Sequence, residues 1–150
     1  MKILLLFISL FLISCLFGQY SVQMEIPILN SKDSIIHHTG YSVSYNQKFR
    51  QANWVAYCLT RTSSLLGNRV KRSNNFMADP LIKGTDNDIY YEKSGFDRGH
   101  LALAADMGFS KVTMDESFYY SSMSPQVPQF NRGILKSLET QFRNWPIEYD

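Results

Sequence analysis

The chain has almost nothing to staple itself with. Of its 2 cysteines, Cys15 sits in the N-terminal apolar stretch, so Cys58 has no cysteine to pair with in the rest of the chain. That excludes a disulfide framework and any CxxC zinc site. Cys58 lies in the apolar run Trp54-Val55-Ala56-Tyr57-Cys58-Leu59, where a buried, inert thiol is expected. There is no low-complexity tract and no internal repeat, and 150 residues suit one domain. Asp86 and Asp88 are not followed by the spacing an EF-hand requires, so they read as a solvated turn. Acid is missing from one stretch. Between Tyr41 and Ala78 lie Lys48, Arg50, Arg61, Arg69, Lys71 and Arg72, with no Asp or Glu, while from Asp79 onward acids outnumber bases. Such a basic segment could steer a polyanion, or it could solvate the outer face of a sheet. The net charge of +2 decides nothing by itself.

What is present begins with a targeting segment. Lys2 precedes an apolar run, Ile3 to Ile13, that is too short to span a bilayer and suits a signal-peptide core. Cleavage after Gly18 would release a soluble chain. Alternatively Leu12-Ile13-Ser14-Cys15 is similar to a lipobox, which would lipidate Cys15 and anchor the protein to a membrane. Either route leads out of the cytoplasm, to a secreted, periplasmic or membrane-anchored protein. Residues 1–18 are therefore read as signal peptide, 19–34 as a linker or edge segment, and 35–150 as the domain.

Tyr41 to Tyr45 alternates with period two, as a half-buried strand does. Trp54 to Thr60 reads as a more continuous strand. Residues 61–93 read as loop, with Gly67, Pro80 and Gly84 as punctuation. The run from Phe96 to Ala104 ends a loop or starts a strand. Phe118 to Met123 reads as an aromatic strand, broken by Pro125 and Pro128. A helix follows from about Gln129 to Trp145, with Ile134, Leu135, Leu138 and Phe142 on one stripe and Pro146 as its end. Strand, strand, helix makes a β-β-α unit.

The chemistry concentrates on Asp97-Arg98-Gly99-His100. Imidazole titrates near neutrality, so His100 can take a proton from water. Arg98, two residues away, shares its face if the segment is extended. Gly99 between them would let a phosphate backbone come close. Asp97 points to the other face and is expected to anchor the loop by hydrogen bonds. His37 and His38 have no such company and read as structural. Asn131 falls within the apolar stripe of its helix at about 100° per residue, so it needs a partner. It is either a helix N-cap or, through its amide oxygen, a ligand of Mg²⁺. Glu139 is displaced from it by roughly 80°. It either supports a cation's water shell or pairs with Arg143 at i+4 on the surface.

These residues stand in recognisable company: Asp97-Arg98-Gly99-His100-Leu101-Ala102, Ala105-Asp106-Met107, Met123-Ser124-Pro125-Gln126, and Phe130-Asn131-Arg132-Gly133 with Leu138-Glu139. With these four runs in order, the chain resembles the DNA/RNA non-specific endonucleases of the ββα-metal (His-Me finger) class, the endonuclease G-like nucleases, from His38 to Trp145. The resemblance implies an α+β fold, a mixed or antiparallel sheet with a metal-site helix. It implies that His100 is the general base and Asn131 the direct ligand of Mg²⁺, with Mn²⁺ able to substitute. Arg98 would bind the scissile phosphate, Glu139 would hold the metal's water shell and Arg143 would stabilise the charged transition state. Arg98, Arg143 and Gln126 are the expected substrate contacts, DNA and RNA the substrates, and 5′-phosphate ends the product. Family members often dimerise. Three positions depart from the pattern: Leu103 where proline is usual, Leu135 where tryptophan is frequent, and Ser122 where an asparagine usually precedes Met-Ser-Pro-Gln. Family domains also continue past this helix, so an incomplete C-terminal part is expected. The alternative reading is a catalytically inactive, truncated remnant that binds nucleic acid weakly.

Overall fold

A computed structural model describes residues 26–27, 34–85 and 88–149. The signal peptide, Cys15, most of the linker segment and Asp86 lie outside the described residues. The first layer is an antiparallel sheet in the order β1 (Ile35–His37), β2 (Ser42–Asn46), β3 (Gln51–Ala56). Strand β2 is central and buried on both faces from Ser42 to Tyr45, not half-buried as its alternation suggests. Its polar positions tolerate this because their hydroxyls are bonded: Ser42 Oγ to His37 Nδ1 at 2.8 Å, and Ser44 Oγ to Asn53 Nδ2 at 3.2 Å. Tyr41, Val43 and Tyr45 of this strand region form the main core with Ile82, Ala102 and Met107.

Strand β3 stops at Ala56, four residues earlier than the apolar run suggests. Thr60 takes the N-cap of helix α1 (Arg61–Leu66), closing a capping box with Ser63. The intervening backbone leaves the sheet, and Cys58 is consequently exposed, not buried. The region expected to be loop thus carries α1 and a short turn of helix, α2 (Asp88–Tyr91). Asp79 fixes the stretch between them. Its side chain is fully buried and accepts from His38 Nε2 at 2.9 Å, from Ser121 Oγ and from the Leu81 N–H at 2.9 Å. Burial opposes its ionisation, but these three donors outweigh burial and hold the carboxyl below its usual range. His38 is therefore structural, as its context implied.

The second layer is the β-β-α unit. Strand β4 (Asp97–His100) pairs antiparallel with β5 (Met123–Gln126), His100 opposite Met123 and Asp97 opposite Gln126. Helix α3 (Lys111–Glu116), capped by Ser110, lies between them in sequence. The aromatic run does not form a strand. Tyr120–Ser122 is a 3-10 turn and the strand begins at Met123. The turn lets Ser122 receive the strand's exit: its carbonyl accepts from Leu101 N–H at 2.8 Å and its Oγ from Ala102 N–H at 2.9 Å. Pro125 sits inside β5, where pairing on one side leaves its missing N–H without cost. Helix α4 (Pro128–Phe130) opens the last element. A wide π-type turn, Asn131–Leu135, follows with Gly133 off helical geometry, and then α5 (Lys136–Tyr149). Pro146 does not end α5. The last turn continues through it, tied from α1 by Arg61 Nη1 donating to the Ile147 carbonyl at 2.5 Å. The apolar stripe is real but uncovered: Ile134, Leu138 and Phe142 are exposed.

Asp79→Ala removes a buried carboxylate and strands His38, Ser121 and the Leu81 N–H. It should lower unfolding free energy by about 3 kcal/mol, read from urea melts. Because the carboxyl is depressed in the fold, its stabilisation is present above the ordinary value of 3.8 and is lost as pH falls below it. The wild-type and variant curves should therefore converge in acid.

Candidate functional site

Four parts of the chain meet at one cleft of about 450 Å³. Strand β4 gives Arg98 and His100, and the wide turn gives Asn131 and Arg132. Helix α5 contributes Lys136, Glu139 and Arg143, and Arg72 comes from the loop after α1. Of the six residues the sequence singles out, five line it together: His100, Arg98, Asn131, Glu139 and Arg143.

Gln126 is the one not among them. It sits at the end of β5, and a Cβ at Gly99 would lie 2.1 Å from its Cδ. The absent side chain at Gly99 therefore makes room for the Gln126 amide, not for a phosphate backbone, which corrects both expectations. The Gln126 Oε1 is buried there without a partner.

His100 lies partly buried between aromatic rings, 4.7 Å from Phe118 and 5.9 Å from Phe76 by centroids. Burial and the positive charge of Arg72 lower its pKa from 6.5 to about 3, against a hydrogen bond to the Arg98 backbone. Its Nε2 is buried and has no partner. The ring is thus neutral at working pH, with a lone pair uncommitted. Arg98 stacks over Phe76 at 5.1 Å and Tyr91 at 5.7 Å, and its Nη2 donates to Asp88 Oδ1. Asp88 also accepts from Tyr120 OH; that bond, then Arg98, keeps its carboxyl low.

Asn131 is not an N-cap, a position held by Val127. Its Nδ2 donates to Asp97 Oδ2 at 2.9 Å. A carboxylate only accepts, so the partner fixes which way the amide faces and leaves its oxygen for the cleft. Asp97 also takes Arg132 Nε at 2.7 Å and Nη2 on its other oxygen, the anchoring role its position suggested. Glu139 has its pKa raised by burial and by Asp106, against Arg143. Arg143 does not pair with Glu139 on the surface. Its Nε donates to Asp106 Oδ1, and Asp106 is buried and held by Tyr57 OH at 2.8 Å.

Among the described residues no three His, Cys, Asp or Glu side chains gather into a metal cage. One amide oxygen with one carboxylate nearby suits a hard cation that keeps most of its waters, as Mg²⁺ does. Arg72, which the sequence shows only as part of the basic segment, is the site residue that reasoning missed. Its guanidinium lies 4.9 Å over the Phe118 ring, the same ring that flanks His100. Its adjacency to Lys71 and to the asparagine pair Asn74-Asn75 carries no periodicity that would have marked it.

The arrangement has relatives. The sequence pattern of the DNA/RNA non-specific endonuclease family matches residues 23–150. Nuclease C1 of Cunninghamella echinulata var. echinulata is 39% identical over 120 residues, 71% of this chain and 47% of that protein. Mitochondrial endonuclease G of Homo sapiens is 37% identical over 113 residues, 73% of this chain and 37% of that protein. A crystal structure of the EndoG/EndoGI complex superposes with a TM-score of 0.73 at 35% identity, covering 81% of this chain and 50% of that one. The chain thus spans half or less of the length of these relatives. The fold is the α+β, ββα-metal architecture that β4, β5 and the final helix build, and the chain belongs to the DNA/RNA non-specific endonuclease family.

Proposed function

We propose that the protein is an extracytoplasmic, Mg²⁺-dependent endonuclease that hydrolyses phosphodiester bonds of DNA and RNA without sequence preference, leaving 5′-phosphate ends. The observation that carries this is the convergence of His100, Arg98, Asn131 and Glu139 on one cleft from segments more than thirty residues apart. The charge of that cleft fits the substrate: Arg72, Arg98, Arg132, Lys136 and Arg143 against Glu139. The apolar run Ile3 to Ile13 supports export.

In this reading Arg98 and Arg72 receive the scissile phosphate, Arg98 exchanging Asp88 for a phosphate oxygen. Neutral His100 accepts the proton of the attacking water. A phosphate beside Arg72 offsets the positive charge that depresses the imidazole, so the substrate itself raises the basicity of its catalyst. Asn131, with Glu139 beside it, would hold Mg²⁺, which when bound neutralises charge growing on the phosphorus oxygens and the leaving 3′ oxygen. Arg143, braced by Asp106, adds fixed positive charge where the transition state is most negative. Contact with phosphates and not with base edges accounts for the lack of sequence preference.

Purified protein should nick and degrade plasmid with Mg²⁺ and stop in EDTA. His100→Ala should reduce cleavage by about 10³-fold or more while oligonucleotide binding stays nearly intact. Undiminished turnover by that variant would refute the assigned role, and a folded wild type that binds without cleaving would favour the inactive remnant.

The acid limb of kcat/KM reports the free enzyme. Since the folded ring titrates near 3 and not at 6.5, the rate should hold steady as pH drops through 6.5. The unfolded chain takes up that proton first, so stability should fall over the same range, by at most about 1.4 kcal/mol per pH unit. A sharp loss of rate centred on 6.5, with no change in stability, would show the ring to be solvated.

A further inference from the structure

We propose that the tip of the β2–β3 hairpin, together with Tyr90, is a second nucleic-acid contact, a basic and aromatic notch that holds one nucleotide of the strand beyond the scissile phosphate. This rests on the nuclease reading of the His100 cleft and extends its substrate path.

The notch has a volume of about 270 Å³ and is lined by Lys48, Phe49, Arg50, Tyr90 and Pro125 among others. Two large rings stand at the surface, Phe49 67% and Tyr90 55% exposed. Each lies against a cation: Lys48 Nζ is 5.4 Å from the Phe49 centroid, and the Arg50 guanidinium is 5.1 Å from that of Tyr90. Among the described residues, no carboxylate lines the notch. Solvated hairpin tips are usually small and polar, so exposed aromatics in this company call for an occupant with flat faces and negative charge. A nucleotide has both.

The backbone points the same way. Arg50 adopts φ 52°, a left-handed conformation that favours glycine or asparagine. Its Nη1 is fixed by Tyr90 OH at 2.8 Å, a neutral partner that leaves the charge uncompensated. The turn is shaped by Asn46 Oδ1, which accepts from the N–H groups of Lys48 and Phe49. The left-handed turn position is thus held by a long cation that lies against Tyr90.

The notch neighbours the cleft through Arg98, although the two share no lining residue. Tyr91 lies on its wall and its ring is 5.7 Å from the Arg98 guanidinium. Pro125, also on its wall, is the β5 residue opposite Arg98. Asp88, two residues before Tyr90, is paired with Arg98 and Tyr120. A strand with its phosphate at Arg98 can therefore pass the Pro125 edge and set the next base against the exposed rings of Tyr90 or Phe49. Gln51 Nε2 is bonded to the Arg50 carbonyl at 2.9 Å, so the notch stacks bases without reading their edges.

The test is anisotropy of a labelled single-stranded oligonucleotide with the full chain in EDTA, so that binding is read without cleavage. Lys48→Gln with Arg50→Gln should weaken binding about five- to tenfold and flatten the log–log salt slope by about 1.4, the value for two single-strand phosphates. Tyr90→Leu should weaken binding about fivefold without changing the slope, and Tyr90→Phe should bind as wild type. If the double variant loses its fold by circular dichroism, Lys48→Gln with Arg50→Gly, which suits the positive φ, replaces it. Folded variants that bind with unchanged affinity and slope would overturn the notch, as would loss of anionic-vesicle binding with oligonucleotide binding intact. Arg98→Gln should weaken binding in either case. Wild type that binds no oligonucleotide would overturn the nuclease reading and the notch with it.

Discussion

The Asp97 carboxylate is the constraint on which the site depends. It sits at the start of β4 and accepts from both the amide of Asn131 and the fork of Arg132. Those two residues begin the wide turn that precedes α5, so one side chain ties strand β4 to the entry of that helix. The Arg132 bond first, then that of Asn131, holds the carboxyl below its usual range, which keeps it an acceptor on both oxygens. The orientation of the Asn131 amide follows from this alone. Asn131 itself is helical, and the backbone departs from helical geometry two residues later, at Gly133 with φ −102° and ψ −107°.

Around this constraint the cleft is built from cations with anions behind them. Arg98 has Asp88, Arg132 has Asp97 and Arg143 has Asp106. The carboxylates differ in how firmly they stand. Asp106 is 1% exposed and held by Tyr57, so Arg143 is held in place. Asp88 is more than half exposed, so Arg98 is held but exchangeable. The cleft therefore carries both kinds of charge, one fixed at Arg143 and one displaceable at Arg98. Arg72 is different again. It lies over an aromatic face and acts on His100 through its field.

The β-β-α order and the placing of Arg98 and His100 on one strand were legible from the local sequence; Asn131 could be read there as needing a polar partner, but not which one, because Asp97 lies 34 residues away. The misreadings share the opposite property. Phe118 to Met123 is apolar enough for a strand, yet Tyr120 is drawn to Asp88 and Ser122 to Leu101 and Ala102, and the backbone turns to serve them. Cys58 follows an apolar run, but Thr60 caps a helix and pulls the segment off the sheet. Gly99 reads as space for a ligand, while the space is filled from across the strand pair by Gln126. Arg72 has no pattern of its own and becomes a site residue only because the loop after α1 returns beside β4. Local periodicity carries burial, but it does not say which distant group will arrive.

The final helix shows how far that distinction goes. Its stripe has the helical spacing of a core face, and most helices in proteins owe their stability to burying such a face. Here Ile134, Leu138, Phe142 and Trp145 remain exposed. What positions the helix is polar and sits at three heights: Asp97 grips the wide turn that leads into it, Asp106 takes Arg143 in its middle, and Arg61 reaches the Ile147 carbonyl near its end. Apolar burial is non-directional and would allow the helix to slide or rotate by fractions of an ångström. Three directional bonds at separate heights do not. For the cleft this helix lines, placement by hydrogen bonds matters more than adhesion by area.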